Sequence, residues 1–317
     1  MADANNKQRL HTVLVPVYNS RETLSLLADR VAKAMDGAQI RFELLLIDDG
    51  SRDGSFEEIR RLSRIHPFIR GIRLSRNFGH QAALVIGMQE SRGDFLAIID
   101  DDLQDPPEIL PDFFSRLYEE ADVVYGIRRK RKEGLVKRTL YATFYRILQR
   151  LSRVEIPLDA GDFCVMKRRI VDVMLRFQEA NPFLRGIRAW VGFRQVGIEY
   201  QRAAQLHKSS RYTWRKYFRF AFAGILSFSY IPLHFATYMG IIAALTGFAF
   251  AVYVVLAKLI HPFEVSGYAS LVVVITFLGG VQLISIGIIG EYLSRLNDNN
   301  RRWPVAVVAE TTGEEVQ

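Results

Sequence analysis

The chain has 317 residues, 49% of them hydrophobic, and a formal net charge of +8 at pH 7. That length allows one large domain plus an appendage, and the positive balance points to an anionic partner: phosphate, nucleic acid or a membrane surface. The one cysteine, Cys164, excludes an internal disulfide and a cysteine metal cluster; in its apolar run it reads as a core residue.

The stretch before residue 11 is polar and is expected to carry no signal peptide. Residues 12–17 form a short β-rich run leading into Tyr18-Asn19-Ser20, and residues 21–35 carry a helical pattern. Residues 42–47 predict a second strand, ending in Asp48-Asp49-Gly50-Ser51. Asp53-Gly54-Ser55 then caps a helix with Glu57 and Glu58 in its first turn. Residues 69–74 predict a third strand, Asn77-Phe78-Gly79-His80 a loop, and residues 81–90 a helix. A fourth strand from Phe95 stops at Asp100-Asp101-Asp102-Leu103-Gln104-Asp105, where Pro106-Pro107 forces a loop. Strand and helix alternate in units of about 25–30 residues, which predicts βαβ repeats and a mainly parallel sheet.

Three consecutive carboxylates repel one another, so a cation is the physical reason to keep them together. A lone Asp-x-Asp is more often a solvated acidic turn. Here the acids close a buried strand, at the edge where open α/β sheets bind ligands, and the metal reading is preferred. Carboxylates at i and i+2 of an extended segment point the same way. Asp100 and Asp102 can then share one hard divalent ion, Mg2+ or Mn2+, with Gln104 as a third oxygen. Asp48-Asp49 should face the same crevice.

Residues 123–126 predict a further strand, followed by the basic run Arg128-Arg129-Lys130-Arg131-Lys132. This run is either a solvated loop drawn to anionic lipid or a set of forks onto a diphosphate, and both stay open. Residues 135–151 read as a basic amphipathic helix, suited to a membrane surface or to a partner. Asp159-Ala160-Gly161-Asp162 precedes an apolar strand; it is either a turn and cap or an acid beside an acceptor. Arg202, Lys208 and Arg211 lie in a polar stretch that a lid closing on phosphates would need. Residues 211–230, rich in aromatics and cations, look interfacial.

Residues 231–257 and 267–290 are almost continuously apolar. Each exceeds the roughly 20 residues that span a bilayer, and together they predict two transmembrane helices. Arg295, Arg301 and Arg302 follow the second span, and the basic domain precedes the first. The positive-inside rule then puts both termini and the globular domain in the cytoplasm. Residues 305–317 carry no functional signal. The six histidines are scattered, form no ligand pair and are given no metal role. No zinc-finger spacing or RNP-like motif supports nucleic acid as the partner.

Val15-Pro16-Val17-Tyr18-Asn19, Ile47-Asp48-Asp49-Gly50-Ser51, Ser75-Arg76-Asn77-Phe78-Gly79 and the run from Asp100 through Pro106-Pro107-Glu108 together resemble the family 2 glycosyltransferases of the GT-A fold. Among these the chain is most similar to the polyprenyl-phosphate glycosyltransferases, the group containing dolichol-phosphate mannose synthase. Gly279-Gly280-Val281-Gln282 onward to Glu291-Tyr292 is similar to the two-span bacterial subgroup, which includes the GtrB-type bactoprenol (undecaprenyl-phosphate) glucosyltransferases.

With the hydropathy pattern, the resemblance implies a cytoplasmic, Rossmann-like α/β GT-A domain over residues 1–210, with an amphipathic helix near 135–151. An interfacial helix at 211–230, two transmembrane helices near 231–257 and 267–292, and a cytoplasmic tail at 294–317 follow. The resemblance implies that Pro16 and Tyr18 line the nucleotide site and that Asp48 contacts the base. It implies that Asp100, Asp102 and Gln104 hold Mg2+ or Mn2+ on the diphosphate. It assigns Arg128, Arg131, Arg202 and Lys208 to the diphosphate or the lipid phosphate. Asp162 of Gly161-Asp162-Phe163 matches the acid proposed as catalytic base or acceptor orienter. Asp101 stands where the family often has Ala or Ser and is assigned to the nucleotide side. Ala223-Gly224-Ile225 stands where the family often has Asp-Gly-Ile.

The implied reaction is inverting transfer of a sugar from a nucleotide-sugar donor to undecaprenyl or polyprenyl phosphate. UDP-glucose is the first choice of donor, and the implied enzyme is a multi-pass homo-oligomer of the cell (inner) membrane. A mannose or modified-sugar transferase is the nearest alternative. A processive polysaccharide synthase would carry Gln-x-x-Arg-Trp before its membrane helices; the chain offers only Asn299-Asn300-Arg301-Arg302-Trp303, after the second span. A non-catalytic nucleotide-sugar sensor is the remaining alternative.

Overall fold

The structure is a computed structural model and describes residues 6–128, 160–177, 179, 182–201, 231–260, 267–301 and 303–313. The chain divides into two compact units, one built on a sheet and one helical.

The sheet unit runs β1 (His11–Val17), α1 (Arg21–Gly37), β2 (Phe42–Asp48), α2 (Ser55–Ile65), β3 (Ile69–Leu74), α3 (His80–Glu90) and β4 (Phe95–Ile98). A short turn of helix at Pro107–Ile109 leads into α4 (Leu110–Glu119). Then come β5 (Val123–Arg128), β6 (Ala160–Lys167), α5 (Arg168–Met174), α6 (Leu184–Trp190) and β7 (Gln195–Tyr200). The helical unit consists of α7 (Ile231–Ile260) and α8 (Tyr268–Asn300), and the chain returns to the sheet as β8 (Val308–Thr312).

The eight strands are ordered β7-β5-β6-β4-β1-β2-β3-β8. β1 through β5 and β7 run in one direction; β6 is antiparallel to β4 and β5, and β8 is antiparallel to β3. The central strands are covered on both faces, which is why they read as continuous apolar runs rather than alternating ones. Successive side chains still go to opposite faces. Val13, Val15, Leu44 and Leu46 pack with α1, α2 and α4. Leu14, Leu45, Ile47 and Ile72 pack with α3, α5 and α6. Helix α3 buries every residue from Ala82 to Met88. It lies so close on β1 that a Cβ at Gly87 would fall 2.1 Å from Leu14 Cδ1. Only glycine permits that approach.

α7 and α8 are 30 and 33 residues long and pack against each other. Their apolar side chains, among them Leu245, Phe248, Leu283 and Ile284, face outward. Such a surface has no place in water without a cover. Among the described residues one stretch, Phe277–Asp298, is long and apolar enough to cross a membrane; the apolar stretch Ala236–Phe250 in α7 is shorter. Long helices occupy both stretches expected as spans, and among the described residues only the one in α8 meets that length.

Two expectations are corrected. The sheet is mainly parallel, as expected, with β6 and β8 antiparallel, but Asp162, expected in a turn before the strand, lies inside β6. Residues 294–317, expected as a tail, contain the end of α8 and an edge strand of the sheet. Ala306 is buried in the same core as Ile72 and Leu74, and Val307 C=O accepts the Ser75 N–H at 2.8 Å. The amphipathic helix at 135–151 and the interfacial helix at 211–230 lie outside the described residues.

Candidate active site

The strand order fixes where a ligand can go. The chain steps from β1 to β2 to β3 in one direction, then returns to the other side of β1 as β4. Loops leaving the carboxyl ends of β1 and β4 therefore diverge and open a crevice. β1–β4 pairing ends at Leu14↔Ile98, with the Ile99 N–H on Leu14 C=O at 3.1 Å. Pro16 lies beyond that last pair, where a missing N–H costs the ladder least. Tyr18 follows, 49% exposed at the mouth.

Asp101 bridges the two loops. Its Oδ2 accepts the Tyr18 N–H at 3.1 Å, and its C=O accepts the Thr23 hydroxyl at 2.9 Å. Its side chain thus braces the β1 loop. Both loops hold a residue in the left-handed region, Asn19 at φ 53° and Leu103 at φ 58°. Asparagine tolerates this; for leucine it costs about 1–2 kcal/mol. Leu103 is buried in the core, which offsets that strain. The rest of the acidic loop is anchored as well. Asp102 Oδ1 accepts the Gln104 N–H at 3.0 Å, and Tyr200 Oη donates to the buried Asp105. Gln104, expected as a metal oxygen, is itself buried.

The acids after β2 serve the neighbouring loops. Asp48 Oδ1 accepts the Ser51 N–H at 3.0 Å, and Arg73 Nε lies 3.4 Å from Asp48 Oδ2. Burial raises the Asp48 pKa, against those bonds. Asp49 accepts the N–H groups of Phe78 (2.7 Å) and Gly79 (2.9 Å), fixing the loop that starts α3. Gly50 makes this possible: its φ is +69°, and a Cβ there would meet the Arg76 carbonyl carbon at 2.6 Å.

β6 brings in the remaining acid. Because it runs antiparallel, its first residues lie at the carboxyl edge of β4. The register Ile98↔Cys164, carried two residues further, sets Asp162 opposite Asp100. Three donors from other elements surround Asp162. His80 Nε2 is 3.4 Å from Oδ2, Gln81 Nε2 donates to Oδ2 at 3.3 Å, and Arg185 Nη2 donates to Oδ1 at 3.4 Å. His80 Nε2 also lies 3.9 Å from Asp100 Oδ1. Gln81 Oε1 accepts the Leu184 N–H at 3.0 Å, so this one side chain ties α3, β6 and α6 together.

The electrostatics divide the two acids. Burial pushes the Asp162 carboxyl up, but the His80 hydrogen bond and the charges of Arg185, His80 and Arg188 outweigh it and hold its pKa well below the usual carboxylate range. Burial lowers the His80 pKa, but Asp162, Asp100 and Asp101 reverse this and raise it. Asp100 is pushed up to about 7, first by burial and then by Asp105, Asp162 and Asp102, against the charge of His80. A carboxylate so crowded by like charges is the condition a cation relieves. Asp100 keeps 26% of its side-chain area open, enough for one to reach it.

Among the described residues no three His, Cys, Asp or Glu side chains form a ready cation cage. Asp100 and Asp102, the expected metal ligands, would supply two carboxylates. That fits a hard divalent ion which takes one or two carboxylates and completes its shell with substrate phosphate and water.

A cavity of about 450 Å³ opens at the carboxyl ends of β1 to β3, lined by Tyr18, Ser51, Arg73, Arg76, Ala309 and Glu310. Its volume falls in the usual range for small-molecule sites. Of the expected phosphate ligands, Arg128 ends β5 at the same edge of the sheet. Arg131, Arg202 and Lys208 lie outside the described residues. Sequence reasoning missed His80, Gln81, Arg185 and Arg188. The one available signal was the spacing of Arg185 and Arg188, three apart and therefore on one helix face.

The profile of the family described as Glycosyl transferase family 2 matches residues 12–175, from β1 to the end of α5. The chain is 39% identical over 304 residues to the uncharacterized glycosyltransferase YkcC of Bacillus subtilis (strain 168), covering 96% of this chain and 94% of that protein. It is 34% identical over 298 residues to the bactoprenol glucosyl transferase of Shigella phage SfV, covering 94% and 97%. Among solved structures, the mannosyltransferase PcManGT from Pyrobaculum calidifontis, in complex with GDP-Man and Mn2+, shares the fold at a TM-score of 0.50 and 16% identity, covering 90% of this chain and 87% of that one.

Proposed function

From the premise that the chain belongs to the family 2 glycosyltransferases, we propose that it transfers one sugar, glucose from UDP-glucose as first choice, to polyprenyl phosphate with inversion at the anomeric carbon. The observation that carries the site reading is the meeting of the Asp100–Asp102 pair with the Asp162–His80–Arg185 cluster at one crevice. The lipid acceptor and the glucosyl donor rest on similarity to the bactoprenol glucosyl transferase of phage SfV.

A phosphate oxygen of the acceptor attacks the anomeric carbon. The bond from that carbon to the diphosphate oxygen breaks, and its electron pair leaves on the diphosphate. A divalent ion held by Asp100 and Asp102, with Gln104 as the further oxygen, would offset the charge that develops there. Arg128, Arg131, Arg202 and Lys208 are proposed as the phosphate ligands, and Pro16, Tyr18 and Asp48 as the nucleotide side. A phosphomonoester has a second pKa of about 6, so the nucleophile is already ionised at neutral pH. No strong base is required. Asp162, held ionised by its three donors, therefore serves as an orienter. It fixes His80 and Arg185, and the positive charge of Arg185 suits an anionic head group.

Chain connectivity supports a two-span hairpin. β1 to β7 precede α7 and α8, and β8 follows them, yet all belong to one sheet. A single crossing would put β8 on the opposite side of the membrane from β3. An even number of crossings keeps both sheet segments in the cytoplasm, in line with the basic residues beside the helices. The resemblance also implies a homo-oligomer.

The test is transfer by the full chain in detergent, with undecaprenyl phosphate and UDP-glucose, UDP-N-acetylglucosamine or GDP-mannose, with and without chelator. Chelator-sensitive formation of one glycolipid supports the reading. Tight donor binding without a lipid product from any of the three rejects it in favour of a sensor.

A further inference from the structure

The cavity at the ends of β1 to β3 has a wall that comes from the far end of the chain. β8 pairs with β3 through Leu74↔Val308 and Arg73↔Glu310. One step along β3 is therefore matched by two along β8, and Ala309 is the extra residue of a bulge. Bulges re-aim a side chain out of the ladder, and they recur beside functional sites. Here Ala309 and Glu310 line the same cavity as Tyr18, Ser51, Arg73 and Arg76. The strand is firmly built in. Glu310 pairs with Arg60 at 2.6 Å, Thr312 Oγ1 donates to Ser63 Oγ at 2.5 Å, and Ala306 is buried. These residues lie beyond the span that the family profile matches.

We propose that β8 is the outer wall of the donor's nucleoside subsite and that Ala309 sets its width. The inference rests on the reading of this edge as the nucleotide site. A methyl group at the bulge leaves the cavity open; a ring there would occupy the space that a base and ribose need. Ala309 is exposed and its φ is not in the left-handed region, so a larger side chain meets neither the core nor a backbone barrier. Interactions of this kind are made equally with bound donor and transition state, so their loss appears in KM and not in kcat.

The experiment compares Ala309→Phe with Thr311→Phe, a ring on the same strand at an exposed position outside the cavity lining. Both are assayed as full chain in detergent with UDP-glucose and undecaprenyl phosphate, and binding of UDP is measured alongside. The expected result is a KM for UDP-glucose raised about tenfold or more, with matching loss of UDP affinity, in Ala309→Phe alone, while kcat stays within about twofold. A KM within about twofold of wild type for Ala309→Phe, or equal losses in both variants, overturns the proposal. If wild type itself transfers no sugar while it binds UDP, the functional reading fails; the binding comparison then still decides the wall.

Discussion

Asp162 and Asp102 sit in one crevice but should respond differently to substitution. Asp102→Ala removes half of the carboxylate pair and is expected to lower transfer about 10³-fold. Asp162→Asn keeps the shape and loses the charge that holds Arg185 and His80; turnover should fall by a smaller factor, about tenfold, with the fold retained. Steady-state rates of the two purified variants check this order, and the reverse order would reassign the roles. His11 offers a stability prediction away from the site. It is fully buried, with Nδ1 2.8 Å from Arg9 C=O and 3.0 Å from Arg41 C=O, and Nε2 on the Tyr118 hydroxyl. Burial lowers its pKa from 6.5 to about 4, against the pull of those two carbonyls. A base with a lowered folded-state pKa stabilises fully above its unfolded value and loses that stability as pH falls through the folded value. The window is pH 6.5 down to about 4, and the shift amounts to about 3 kcal/mol. Denaturant melts across this window should show a shallower decline for His11→Gln than for wild type.

The elements show which parts of the design could be read from residues alone. Runs such as Phe42 to Asp48 and the acids that end them were legible, because a buried parallel strand needs apolar residues on both faces and ligands gather at its carboxyl end. The anchoring of Asp105 was not, because its partner Tyr200 is 95 residues away on β7. Nor was the Asp162 cluster, since His80, Gln81 and Arg185 meet it only through the antiparallel direction of β6. β8 escaped notice because its residues, Val-Ala-Glu-Thr-Thr, have two apolar positions side by side and no alternation, and its edge location buries little. Tyr200→Phe tests the loop anchor. Losing a buried hydrogen bond to a carboxylate should cost about 2 kcal/mol and raise KM for the donor, both measurable by thermal melts and kinetics. Unchanged stability would mean that the acidic loop holds itself.

At the scale of the whole molecule, β8 bears on the proposed membrane topology. In the proposed two-span reading, strands that precede and follow α7 and α8 in one sheet require an even number of crossings. The only cysteine, Cys164, is buried, so wild type is a silent background for thiol labelling. Ser266→Cys, between the helices, should react with an impermeant maleimide in intact cells. Glu315→Cys should react only after lysis. Labelling of Glu315→Cys from outside would contradict the two-span hairpin. In the proposed reaction one soluble donor and one membrane-held phosphate meet at Asp100 and Asp102. The most direct measurement is the transfer of radiolabelled glucose from UDP-glucose into lipid extract by purified full chain with undecaprenyl phosphate, run beside Asp102→Ala. The account predicts label in the lipid phase for wild type and almost none for the variant. Equal label in both, or none from a folded, UDP-binding wild type, would contradict it.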